Sequence, residues 1–329
     1  MQEIQITKET AGGRLDKLIF KYLDQAGAGF VYKMLRKKNI LLNGKKATGS
    51  ELLQEGDCIC LYLADDTIQK FRSQAERLIM DASPAGFSQF RSWIVYEDEH
   101  ILAVSKPQGV LSQKASSEDI SLNEMIRSYL GSGALFTPGI ANRLDRNTSG
   151  LVLAGKDPAA QRILSQAIRE RGLRKYYLCI VKGHILSDQS LEGYLIKDPV
   201  TNQVQIRDYL PIHSENGQYI RTDYQVLDRS DRCSLLRIHL ITGRSHQIRA
   251  HLASLGHPVI GDMKYGDPKI NAAFQKQYAV HWQLLHAHEI CFDQMTGILE
   301  PLNGTSVKAS VPEIFRKTAD REGLQTEYL

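Results

Sequence analysis

The sequence predicts an α+β fold in two units, a small helix-and-hairpin unit ahead of a large unit of mixed strands and helices. Three observations predict it. At 329 residues the chain is about twice the usual domain size. Near its start, Ile40-Leu41-Leu42, Asn43-Gly44 and Lys45-Lys46-Ala47 follow one another, and Asn-Gly between extended segments is the strongest short hairpin signal. Beyond residue 91, strand and helix patterns occur without the regular alternation of a barrel or a doubly wound sheet. With 42% apolar and 24% charged residues, the composition is that of a globular protein able to bury a core.

The first unit is expected over residues 1–64. Leu15, Leu18, Ile19, Tyr22 and Leu23 recur at helical spacing behind Gly12-Gly13. Phe30 to Lys38 reads as a second, less regular helix, then come the hairpin and a strand from Cys58 to Leu63. Lys33, Arg36, Lys37, Lys38, Lys45 and Lys46 all fall within residues 33–46, a stretch with no acid. Such a cluster suits a phosphate backbone, where each contact adds salt-sensitive affinity. A solvated surface face accounts for the charges equally well. The order helix, helix, hairpin, strand, opened by Gly13-Arg14-Leu15-Asp16-Lys17-Leu18, resembles the S4-type RNA-binding module, and that resemblance favours RNA.

Residues 65–90 lose periodicity around Ser83-Pro84-Ala85-Gly86 and are expected to be a linker. The large unit, 91–329, opens with a strand at Trp93-Ile94-Val95-Tyr96. A strand through Ile101 to Val104 stops at Lys106-Pro107-Gln108-Gly109. Leu151 to Ala154 reads as a buried strand. The helix after it has Asp157 as N-cap, Pro158 at its first position and Gly172 where a C-terminal cap belongs. Another strand runs from Cys233 to Ile241. A helix with Ser245 as N-cap is expected to reach Gly256, with Ile248, Leu252 and Leu255 as its buried stripe.

A net charge of +4 is only mildly basic, so a polyanionic partner has to be argued from local clusters. Five cysteines without recurring Cys-x-x-Cys pairs suggest a reducing compartment, with Cys58 and Cys60 as buried apolar residues sharing one strand face. The start lacks the pattern of a signal peptide, and no run reaches the roughly 18 apolar residues of a membrane span. The expectation is a cytoplasmic protein that needs no membrane and acts as a monomer.

The chemistry centres on Asn142-Arg143-Leu144-Asp145-Arg146-Asn147-Thr148-Ser149-Gly150. An acid flanked by two arginines has its charged form favoured, which suits a nucleophile or an electrostatic stabiliser better than a proton donor. A surface ion pair in a polar turn fits the spacing as well. The run from Asn142 to Leu151 is similar to the signature of RluA-type RNA pseudouridine synthases, which usually read His-Arg-Leu-Asp-Arg-Asp-Thr-Ser-Gly-Leu. Further segments appear in the family's order. These are Tyr96-Glu-Asp98, Lys106-Pro107, Lys175-Tyr-Tyr-Leu-Cys-Ile-Val-Lys-Gly183, Thr242-Gly-Arg-Ser-His-Gln-Ile-Arg-Ala-His251, Gly256-His-Pro-Val-Ile-Gly-Asp262 and Tyr265-Gly266.

The resemblance implies a mixed, mainly antiparallel sheet around a central catalytic cleft, with Asp145 as the nucleophile. It also implies isomerisation of uridine to pseudouridine with neither cofactor nor metal, since the base leaves the sugar carbon and is recaptured by it through C5. The S4-like start is typical of members acting on large-subunit ribosomal RNA; transfer RNA is the alternative target. Whether Asp145 attacks C1′ or helps remove a sugar proton is left open. Flipping a uridine out of its stack costs a few kcal/mol, and the resemblance makes Arg143 the wedge that fills the gap. Tyr177 would stack on the uracil, and Arg249 would be the counter-charge of Asp145. Arg244 is expected at phosphate, with Arg146 and His246 also at the substrate. Without the resemblance, Tyr177 reads as a core residue.

Two rivals have their own predictions. Asn142 and Asn147, where the family usually has His and Asp, would suit an inactive RNA-binding protein, although Asp145, Tyr177 and Arg249 are all present. His246, His251, His257, His286 and His288 suggest a metal site, but His246 and His251 are five apart, whereas a zinc pair on one helix face needs four.

Overall fold

A computed structural model describes residues 2–6, 11–23, 26–64, 67, 68, 71, 89–114, 119, 121–131, 136–198, 204–209 and 217–329. Most of the expected linker, including Ser83 to Gly86, lies outside them.

The first unit is a four-stranded sheet carrying two helices. Its elements are β1 (Gln2–Gln5), α1 (Leu15–Tyr22), α2 (Ala28–Arg36), β2 (Ile40–Leu42), β3 (Lys45–Lys46) and β4 (Cys58–Leu61), with strand order β1-β4-β2-β3. The hairpin turns at Asn43 and Gly44, whose φ values of 51° and 70° are the left-handed pair that a tight two-residue turn requires. Leu15, Ile19, Leu35, Ile40, Ile59 and Leu61 form a buried core, which Ile68 joins from beyond residue 64. Cys58 and Cys60 do share a face, with their sulfurs 3.9 Å apart, but they are half-buried. The core side of that strand belongs to Ile59 and Leu61, so the cysteines are not the buried pair expected.

The large unit contains β5 (Ile94–Glu97), β6 (Ile101–Lys106), α3 (Leu122–Leu130), β7 (Gly139–Ile140), β8 (Ser149–Gly155), α4 (Pro158–Glu170) and β9 (Leu173–Lys182). After these come β10 (Gln189–Lys197), β11 (Val204–Arg207), β12 (Gln218–Arg229), β13 (Cys233–Leu240), α5 (Gln247–Ser254) and α6 (Pro268–Tyr278). The chain closes with β14 (Leu285–Phe292), β15 (Ser306–Lys308) and α7 (Glu313–Arg321). One sheet of eleven strands runs in the order β11-β10-β12-β13-β9-β14-β8-β6-β5, with β15 on β14 and β7 on β8. Its pairings are antiparallel apart from β8 on β14, where His286 faces Ser149 and Ala287 faces Gly150. At that junction Gly150 has φ 109°, and a β-carbon would stand 2.2 Å from the Ala287 carbonyl oxygen. No other residue fits there.

Alternation along β9 divides the core. Tyr177, Cys179 and Val181 face the side covered by α3 and α5, through Ile126, Ile248 and Leu252. Leu178 and Ile180 face α6 and α7, through Phe274 and Phe315. On the latter side, α4 packs Ala160, Leu164 and Ala167 against Leu151, Leu153 and Phe292.

Two helix ends differ from the expectations. Helix α4 starts as read, with Asp157 accepting from the Ala160 amide, but Arg171 rather than Gly172 takes the left-handed C-terminal position, at φ 63°. Helix α5 is preceded by His246 in a left-handed conformation (φ 58°), not by Ser245 as N-cap. The loop folds back because Gln247, nearly fully buried, ties it down, its side-chain oxygen accepting from Thr242 Oγ1 and the Arg244 amide. Leu255 falls past the end of this shorter helix and is 40% exposed, leaving Ile248 and Leu252 as the buried pair.

Candidate active site

Asp145 sits in the loop that leads into β8, and the backbone on both sides of it is clamped. Ser112 Oγ donates to the Leu144 carbonyl at 2.7 Å and accepts from the Leu144 amide at 3.0 Å. On the other side, Lys106 Nζ donates to the Arg146 carbonyl at 2.9 Å, and also to the carbonyls of Pro107 and Val110. Lys106 has no exposed surface. Burial pushes its ammonium down to about 7, against the pull of the Asp145 charge. At the loop's entry, Asn142 donates to the Leu151 carbonyl and accepts from the Leu153 amide, so its side chain braces β8.

The carboxylate meets Arg249, projecting from α5. Arg249 Nη1 donates to Asp145 Oδ2 at 2.7 Å, while its Nε and Nη2 fork onto the two oxygens of Asp262 at 2.7 and 2.8 Å. Asp262 is fully buried and also accepts from the amides of Lys264 and Tyr265. Burial works against its charged form, but Arg249 and these amides outweigh it and hold the carboxyl below its ordinary range. For Arg249, too, burial opposes the charge, yet Asp262 and Asp145 hold it more firmly protonated. The second oxygen of Asp145 lies 4.0 Å from His246 Nε2, and the other ring nitrogen of His246 contacts the Tyr265 hydroxyl at 2.9 Å. Burial lowers the His246 proton affinity, with Asp145 opposing.

These groups open on a cleft of about 700 Å³. Asp145, Arg143, Tyr177, Arg249, Arg244 and His246 all line it, as the sequence reading expected. Tyr177 is 7% exposed; burial and the nearby Asp145 charge both raise its hydroxyl, so it is a neutral phenol. Arg143 extends to Gln113 Oε1 at 3.4 Å, and Arg244 is exposed at the rim. Arg146 departs from the expectation. Its guanidinium points towards Asp119, 4.0 Å away, and is not part of the cleft wall, so only its carbonyl serves the loop. Neither flanking arginine is the charge partner of Asp145; Arg249, 104 residues away, is.

Lys106, Ser112, Asp262, Tyr265 and Gln247 have roles that the sequence alone does not disclose. The segments holding Lys106, Gln247, Asp262 and Tyr265 carried a family signal, but nothing in their spacing said what the side chains touch. The five histidines weighed as metal ligands are dispersed: His251 contacts Thr222 Oγ1, His257 the Lys182 carbonyl, and His286 and His288 both the Ala309 carbonyl. Lys33, Arg36, Lys37, Lys38, Lys45 and Lys46 are all exposed, along the end of α2 and the β2–β3 hairpin.

Comparison with known proteins places this geometry. A family model described as RNA pseudouridylate synthase matches residues 100–254, the span holding Lys106, Asp145, Tyr177 and Arg249. The ribosomal large subunit pseudouridine synthase C of Escherichia coli (strain K12) is 31% identical over 80% of this chain and 79% of its own length. The chain belongs to the RNA pseudouridylate synthase family. The synthase is thus an isomerase that converts uridine in RNA to pseudouridine. The protein of the same name from Vibrio cholerae is 29% identical over 89% of each chain. The solved structure of human RNA pseudouridylate synthase domain containing 4 covers 73% of this chain and 96% of its own, with a TM-score of 0.59 at 20% identity, and shares the fold. Among the described residues, no helix is long and apolar enough to cross a membrane.

Proposed function

We propose that this synthase modifies uridine in large-subunit ribosomal RNA, with Asp145 as nucleophile. The observation that carries the reading is the Asp145 carboxylate held at 2.7 Å by Arg249 in a cleft whose other charged lining residues, among those described, are cationic. The named relatives support the substrate class. One carboxylate suffices, in contrast to the pair of a glycoside hydrolase, because no water enters and no fragment leaves. An Asp145 oxygen forms a bond to C1′ as the N1–C1′ bond breaks, and the electron pair stays on the uracil. The base turns, C5 bonds to C1′ as the ester oxygen departs, the C5 proton is lost and N1 gains one. Atoms and charge balance without an oxidant or a metal.

In this reading Tyr177 stacks on the flipped uracil and, as a neutral phenol, relays a proton rather than taking one as an anion. Arg143 fills the vacated stack, and His246 and Arg244 border the nucleotide. The first unit, residues 1–64 with Ile68 packed into its core, is an S4-like RNA-binding module whose exposed basic cluster lies along the phosphate backbone, ahead of the catalytic unit 91–329. Mapping pseudouridines in cellular RNA with and without the protein, then restoring it as Asp145→Asn, tests this. Sites in large-subunit ribosomal RNA are expected to vanish on deletion and stay absent with the variant. Their return with Asp145→Asn removes Asp145 as nucleophile, and lost sites confined to transfer RNA overturn the substrate.

A further inference from the structure

Lys175 lies two residues before Tyr177 on β9, so both side chains leave the strand on the cleft face, and both line the cleft. Two residues of strand span about 6.6 Å, close to the reach from a stacked base across its ribose to a neighbouring phosphate. Lys175 is half-buried, and burial alone pushes its ammonium below the ordinary lysine range. Among the described residues no carboxylate is paired with it, unlike Lys156, which has Glu97, and Lys182, which has Asp267. A partly desolvated cation without a counter-charge costs stability unless something else provides one.

The facing wall is shaped for that group. A β-carbon added at Gly243 would stand 3.2 Å from Lys175 Nζ, so the glycine leaves the room a side chain would take. Arg244 follows it, and the turn is held rigid from beneath by Gln247, whose amide bonds the Arg221 carbonyl and Thr222 Oγ1. The cleft wall carries Lys114, Arg143, Arg169, Arg171, Lys175, Arg244 and Arg249, against Asp145 as its acid. Arg249 is already engaged; among the described residues Lys175 has no such partner.

We propose that Lys175, with Gly243 facing it and Arg244 next along the cleft wall, forms a subsite for the phosphodiester group that adjoins the target uridine. This rests on the reading that Tyr177 stacks on the base and Asp145 works at the sugar. A phosphodiester supplies the missing charge and accepts two of the three ammonium N–H bonds, and the flipped nucleotide is then gripped at base, sugar and phosphate.

The test uses the full-length protein and an unmodified large-subunit ribosomal RNA transcript carrying tritium at uridine C5, whose release counts turnovers. Lys175→Met is expected to raise KM about tenfold, the scale of one charge-assisted hydrogen bond, with kcat within about twofold. The slope of log Kd against log salt should flatten by about one unit, the mark of one phosphate no longer neutralised. Lys175→Arg should restore both, and Gly243→Ala, which keeps the lysine but crowds it, should give an intermediate KM. An unchanged salt slope, or a loss confined to kcat, overturns the subsite and assigns Lys175 to the base or to the fold. Should Lys175→Met fail to fold by thermal melting, a wild-type KM in Gly243→Ala overturns it instead. Asp145→Asn run alongside separates the two claims: turnover there removes the nucleophile assignment whatever Lys175 does.

Discussion

Arg249 and Asp262 form a two-point ion pair, Nε and Nη2 each within 2.8 Å of a carboxylate oxygen, that leaves Nη1 free to hold Asp145 at 2.7 Å. The fork fixes the plane of the guanidinium, so the third nitrogen is aimed rather than merely nearby. Removing one partner of a buried pair leaves the other charge uncompensated, at about 3–5 kcal/mol. Asp262→Ala is therefore expected to lower the unfolding free energy by about 3 kcal/mol in urea titration, and tritium release by more than about tenfold. Asp262→Asn, which keeps one acceptor, should lose less of each. Wild-type stability in Asp262→Ala would mean that the pair does not organise the site.

The Tyr265 hydroxyl accepts from the Val204 amide at 3.1 Å, so its own hydrogen is available for His246 Nδ1 at 2.9 Å. That sets the imidazole in the tautomer with its proton on Nε2, turned towards Asp145 Oδ1. Nitrogen chemical shifts of His246 should show the Nε2–H form in the wild type and a mixture in Tyr265→Phe. The variant should also lose about 1 kcal/mol of stability, the ordinary worth of one hydrogen bond. An Nδ1–H imidazole in the wild type would show that Tyr265 does not set the tautomer.

Local chemistry made much of the fold readable. Asn43-Gly44 and Asp157-Pro158 act over a few residues, and each is found where the sequence placed it. Strand β1 escaped notice because four residues, Gln2 to Gln5, carry too little pattern; its pairing with β4 is a tertiary contact. The site was readable in part. Asp145 announced itself by its arginine neighbours, yet its charge partner comes from α5 and its backbone clamps from Lys106 and Ser112, which only folding brings near. The helix expected from Ser245 would include His246, but His246 sits in the left-handed residue before that helix, 4.0 Å from Asp145.

Two buried histidines set an acid limit. Burial pushes His286 down to about 4, although the Ala309 carbonyl opposes it, and pushes His251 down to about 4 as well. In the unfolded chain each titrates near 6.5. Between these values the unfolded state binds protons that the folded state refuses. Stability is then full above about pH 6.5 and falls as the pH drops towards 4, by up to about 1.4 kcal/mol per pH unit for each histidine. Urea titrations at pH 7, 5.5 and 4.5 should show this decline, and His286→Gln should make it shallower even if it lowers stability at pH 7. Parallel declines in the two proteins would place the acid sensitivity elsewhere.

The basic cluster on the first unit should affect binding and leave the chemistry alone. Lys37 and Lys38 lie just past α2, where the negative end of the helix dipole favours cations, and Lys45 and Lys46 project from the adjoining hairpin. All four are exposed, and none belongs to the cleft. Replacing them together with Gln removes positive charge without emptying a core. If they lie along phosphates, the affinity for a ribosomal RNA transcript should fall at least about tenfold near physiological salt, and its salt slope should flatten by about 0.9 for each phosphate no longer neutralised. At saturating RNA, kcat should stay at the wild-type value, because Asp145, Tyr177 and Arg249 keep their places. Affinity and slope equal to those of the wild type would show the cluster to be a solvated face. A drop in kcat with affinity intact would show that the unit acts on the catalytic cleft rather than on RNA capture.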